Sequence, residues 1–262
     1  MRIRKFTIPL VFSSLVAAGT QALSQARHQD MPAMNMSEHS DAADFHDNSS
    51  MSGGDSAMRA MESHHMNMGP HMKMTKPRPL SHGDKEKADE IVRAARAVAD
   101  KYQDYKLALA DGYRIFLPNI PQKQYHFTNY RYAWQARNHF DPSRLSSLLY
   151  EKRGDSYKLI GVMYTARKDA SEDELNSRIA LSSAQWHAHV NLCMPARDRR
   201  QEALVPDAKF GLAGSINTKE ACDAAGGRFL PQVFGWMVHV YPLETKPEDI
   251  WSVERQANNH MD

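Results

Sequence analysis

Residues 147–165 read Ser-Leu-Leu-Tyr-Glu-Lys-Arg-Gly-Asp-Ser-Tyr-Lys-Leu-Ile-Gly-Val-Met-Tyr-Thr. Two apolar runs, Ser147 to Lys152 and Tyr157 to Thr165, flank Arg153-Gly154-Asp155-Ser156, and turn residues between two such runs predict a β-hairpin. Outward from it, Gln185 to Met194 and Gln232 to Tyr241 are rich in aromatic and β-branched residues and read as two further strands. Between them, Thr218 to Ala225 reads as a short helix, capped by Thr218 and ended by Gly226-Gly227. Ser171 to Arg178 reads as another, with Glu172, Asp173 and Glu174 in its first turn. Upstream, Ile91, Ala95, Val98, Tyr102, Tyr105 and Leu109 recur at helical spacing between a Ser81/Asp84 cap and Gly112, which predicts one long helix. Its other face carries Lys85, Asp89, Arg93, Arg96, Asp100 and Asp104, so it should lie on an apolar surface rather than be enclosed. The expected fold class is α+β: an antiparallel β-sheet with a long N-terminal helix packed on one face.

Composition narrows the function. At 262 residues and 42% hydrophobic, the chain suits one ordinary domain. With 33 basic and 31 acidic residues the net charge is +2, which leaves no electrostatic footprint for nucleic acid. Arg2, Arg4 and Lys5 precede an apolar stretch from Ile8 to Ala18, followed by small residues at Thr20, Ala22, Ser24 and Ala26. That is the layout of a secretory leader over residues 1–26, an uncleaved anchor being the alternative. No second run of transmembrane length follows. The mature protein is therefore expected in the periplasm or outside the cell, with no stable membrane span once the leader is cleaved. In that oxidising space Cys193 and Cys222 are expected to pair. The rival reading makes Cys193 a metal ligand, because it follows His187-Ala188-His189-Val190-Asn191-Leu192.

Methionine and histidine are placed very unevenly. Residues 28–82 hold 10 Met and 7 His, while residues 83–262 hold 4 Met and 6 His. Large aliphatics are nearly absent from the first stretch and no period of 3.6 or 2.0 appears in it, so residues 27–82 are expected to be disordered ahead of a domain spanning 83–262. Its densest part is His64-His65-Met66-Asn67-Met68-Gly69-Pro70-His71-Met72-Lys73-Met74. Thioether sulfur is a soft, neutral ligand suited to Cu(I), and imidazole suits Cu(II), Zn(II) or Ni(II). A mixed set with Met66, Met68, His71, Met72 and Met74 as ligands points to copper, with zinc as the alternative. The plain reading is a Met-rich linker acting as an oxidant sink, which does not account for the histidines.

These Met-x-Met and His-Met clusters behind a leader resemble the Met/His-rich segments of periplasmic copper-resistance and copper-carrier proteins. The resemblance covers about a fifth of the chain, is compositional, and implies capture or delivery of copper.

In the domain, His187 and His189 are two apart on a predicted strand and project to one face. His239 on the Gln232 to Tyr241 strand can join them, with His126 and then His139 as further donors. Three imidazoles with an open position would suit a copper centre or a catalytic zinc, with Tyr125, Tyr164, Trp186 and Trp236 as a partly apolar shell. The leading expectation is an exported copper-binding protein. A metal-dependent enzyme using His187, His189 and His239 is the second reading. The third is a small-molecule-binding module whose groove is lined by Trp186 and Trp236.

Overall fold

Ser147–Arg153 (β4) and Ser156–Ala166 (β5) pair antiparallel with Arg153 opposite Ser156, closing on the two-residue turn Gly154-Asp155. Gly154 has φ 58°, the left-handed conformation that such a turn needs and that glycine adopts without strain. The computed structural model describes residues 69–258 apart from position 206. The expected leader at 1–26, and most of the Met/His segment including Met66 and Met68, lie outside the described residues.

The hairpin sits inside a seven-stranded sheet. On one side of β5 lie Arg228–Val240 (β7), His187–Met194 (β6) and Met72–Met74 (β1); beyond β4 lie Tyr125–Thr128 (β3) and Arg114–Ile115 (β2). The order is β1-β6-β7-β5-β4-β3-β2, and every neighbouring pair is antiparallel. The sheet therefore begins inside the Met/His-rich stretch: Met72 pairs with His189 and Met74 with His187.

The expected continuous helix is broken. Asp84–Ala99 (α1) runs into a 3₁₀ turn at Asp100–Gln103, and Asp104 then goes extended at φ −86°, ψ 106° before Tyr105–Ala110 (α2). Two interactions outcompete continuation. The Tyr150 hydroxyl on β4 donates to the Tyr102 carbonyl at 2.7 Å, and the Asp104 carboxylate accepts from the Lys106 backbone N–H at 2.9 Å, capping a new helix. The apolar stripe survives the break. Ile91, Ala95 and Tyr102 are buried, with Val98, Tyr105 and Leu109 packed against the same core. At the start of α1, Asp84 accepts from the Ser81 backbone N–H at 2.9 Å and from Ser182 Oγ at 2.6 Å.

The shorter helices are Tyr130–Gln135 (α3), Glu172–Arg178 (α4), Lys219–Ala224 (α5), Pro247–Ile250 (α6) and Val253–Asn258 (α7). Ser171 and Thr218 cap α4 and α5 through their hydroxyls. No helix among the described residues is long and apolar enough to cross a membrane.

Cys193 on β6 and Cys222 on α5 form a disulfide, fully buried with Phe210. It closes a loop of 29 residues, for which the chain-entropy relation gives about 3.5 kcal/mol of stabilisation. The paired variant Cys193→Ser/Cys222→Ser is expected to lose about that much in chemical denaturation and to melt about 10 °C lower. A loss below about 1 kcal/mol would show that the loop is already held by its packing.

Candidate metal centre

Period-two alternation divides the sheet into two unlike faces. One face carries Tyr125, Phe127, Leu148, Tyr150, Val162, Tyr164, Ala188, Trp236, Val238 and Val240, which join Trp186 and the helical stripe in the main core. The other carries His126, Leu149, Met163, His187, His189, Met237 and His239, with Tyr241 just beyond the end of β7. Register fixes the neighbours: Met163 lies opposite His239, Met237 opposite His187, Met74 also opposite His187, and Met72 opposite His189.

The imidazoles adjoin one another in series. Ring centroids are 5.4 Å apart for His126 and His239, 5.0 Å for His239 and His187, and 5.7 Å for His187 and His189. His126 Nε2 and His239 Nε2 are 3.5 Å apart. His187 and His239 are fully buried, His189 is nearly so, and His126 is half-buried on β3.

Amides orient these rings. Gln256 on α7 turns its Oε1 inward, 3.0 Å from His187 Nδ1 and 3.1 Å from the His239 backbone nitrogen. An amide oxygen only accepts, so His187 carries a proton on Nδ1, and in the neutral ring Nε2 is the nitrogen that bears the lone pair. Gln124 Nε2 donates to His239 Nδ1 at 3.4 Å, and the Tyr241 hydroxyl donates to Gln124 Oε1 at 3.3 Å. The Tyr241 ring lies over Gly161, where a Cβ would come within 2.7 Å of it, so only glycine allows this wall of the site. Arg255 stacks on the outer side of that ring at 3.6 Å and pairs with Glu244.

Several expected residues are placed elsewhere. Tyr125, Tyr164, Trp186 and Trp236 all belong to the main core, because each is the sequence neighbour of a residue on the histidine face and alternation sends it the other way. They supply no shell to the imidazoles, and the two indoles, 0% and 5% exposed, line no open groove for a small molecule. His71 is used structurally: its Nε2 donates to the Gly214 carbonyl at 2.5 Å. His139 borders a small cleft with Phe140 and Tyr164. Cys193 is bound in the disulfide and is not a metal ligand.

The shell that sequence reasoning missed is Met163, Met237, Tyr241, Gln124 and Gln256. Met237 and Tyr241 carried a readable signal, since Met237-x-His239-x-Tyr241 has strand parity, whereas Met163 joins through its pairing with His239. The glutamines had none, because both reach the site from outside the central strands.

Among the described residues, no three His, Cys, Asp or Glu side chains form a group that could hold a metal ion. His187 stands between His189 and His239 in a row, with methionines opposite these residues on the neighbouring strands. The chain matches no family model, no curated protein and no solved structure. The imidazoles adjoin one another, with amide side chains bonded to His187 and His239.

Proposed function

We propose that this is an exported copper-binding protein, in which the Met/His-rich segment collects the ion and the buried histidine face of the sheet holds it. The observation that carries this reading is the 3.5 Å separation of His126 Nε2 and His239 Nε2. Two nitrogens each about 2.0–2.1 Å from one tetrahedral ion stand about 3.4 Å apart. As an N–H···N hydrogen bond the same separation is long, the usual range being about 2.7–3.2 Å for N–H donors to oxygen. A pair of imidazoles, one fully buried and one half-buried, held at that distance from separate strands suits a shared ion better than a shared proton.

For His239 to ligate through Nε2, its proton must sit on Nδ1. A half-turn of the Gln124 amide supplies this: Oε1 then accepts from Nδ1–H, and Nε2 donates to Tyr241 Oη, which serves as donor or acceptor equally well. The donor set favours copper over the hard cations, which take oxygen ligands, and the surrounding thioethers favour it over zinc. Export follows from the leader-like residues 1–26 and agrees with the buried disulfide. The likeness to the Met/His segments of copper-resistance and copper-carrier proteins points the same way.

The full chain, expressed with its leader in medium supplied with equal copper and zinc, is expected to be recovered from outside the cytoplasm with copper in excess by elemental analysis. Zinc-loaded protein, or metal-free protein after copper supply, would overturn the reading.

A further inference from the structure

The histidine face holds a second set of donors at its β1 edge. Met74, His187 and Met237 lie side by side across β1, β6 and β7 at matched register, with Met72 opposite His189 on the adjoining rung. Directly opposed residues in an antiparallel ladder have Cβ atoms about 4.5–5.5 Å apart, a gap that an unbranched thioether with three torsions can close from either side. The His187 ring is turned by Gln256 so that Nε2 bears the lone pair. His187 is thus flanked in register by two methionines, and a second imidazole, His189, stands 5.7 Å away centre to centre.

We propose that Met74, His187 and Met237, with Met72 and His189 beside them, form a Cu(I) site separate from the His126/His239 pair. This rests on the copper reading above and adds the oxidation state, the ligands and the route of entry. Three of the five donors, Met72, Met74 and Met237, are neutral soft thioethers, and it is they that favour Cu(I) over Cu(II) and Zn(II). Entry is set by the chain itself. β1 is the end of the uninterrupted run His64-His65-Met66-Asn67-Met68-Gly69-Pro70-His71-Met72-Lys73-Met74, so the ion-collecting segment and the edge of the site are one piece of backbone. The competing account is that Met237 only fills volume with Leu149, Met163 and Tyr241. The two accounts differ in what leucine can replace: packing needs volume, which Met and Leu share, whereas ligation needs the sulfur.

The test uses the full exported chain labelled at the methionine methyl groups and titrated anaerobically with Cu(I), the Met74 and Met237 resonances being assigned with Met74→Leu and Met237→Leu. Both resonances are expected to shift and saturate together, and the double variant to bind one equivalent of Cu(I) fewer at full occupancy. If both stay in place while copper still perturbs His126 and His239, the Cu(I) site falls and the copper reading stands. If copper perturbs no histidine and no methionine of the sheet, both fall.

Discussion

His126→Ala and His239→Ala are each expected to weaken copper binding at the sheet by at least about a hundredfold. Changes to groups that merely orient a ligand cost about 10–100-fold in metal affinity, so removal of a ligand should cost more. The two residues arrive from β3 and β7, so a shared loss reports the shared ion. Their burial separates ligation from folding. His239 is fully buried and its removal leaves a void; His126 is half-buried on the four-residue strand β3, and its removal should leave the fold intact. Copper at a hundred times its dissociation constant for the His126/His239 pair should raise the stability of the parent chain by about 2.7 kcal/mol through that site, and this part of the gain should vanish in both variants. A copper-dependent gain in His126→Ala as large as the parent's would show that no ion is held between His126 and His239.

Trp186→Ala is expected to destabilise the protein by about 3–5 kcal/mol in denaturant titration, the range for deleting a fully buried large side chain. The indole is 0% exposed. Its residue also anchors the chain just after β1: the backbone N–H donates to Thr75 Oγ1 at 3.0 Å, and the carbonyl accepts from the Thr75 N–H at 2.9 Å. Those bonds remain in the variant, so the loss measures the cavity. Trp186→Phe should cost far less, because the buried indole Nε1–H has no hydrogen-bond partner among the described residues and phenylalanine removes that unmet donor while keeping most of the volume. Near-equal losses for the two changes would mean that the indole nitrogen is satisfied after all.

The opposite roles of Trp186 and His187 show where sequence reasoning stops. Their adjacency led to one site containing both; the pleat separates them, one into the core and one onto the histidine face. Parity within each strand was legible, and it correctly grouped His187 with His189. The same parity argument, extended along β7, leads to Met237 and Tyr241. The helical stripe from Ile91 to Leu109 was legible as a core-facing surface, but the break at Asp104 was not, because its cause is the Tyr150 hydroxyl arriving from a strand 48 residues away.

Local patterns determine the hairpin at Gly154-Asp155, the caps of α4 and α5, and the face on which each strand histidine lies, since turn chemistry, capping and side-chain alternation act over a few residues. Only the tertiary structure decided that Met72 and Met74 flank His189 and His187, that His126 meets His239, and that Gln124 and Gln256 orient the rings. Those contacts join residues more than 60 positions apart. Pairing register across the sheet sets them, and no short stretch of the chain encodes it.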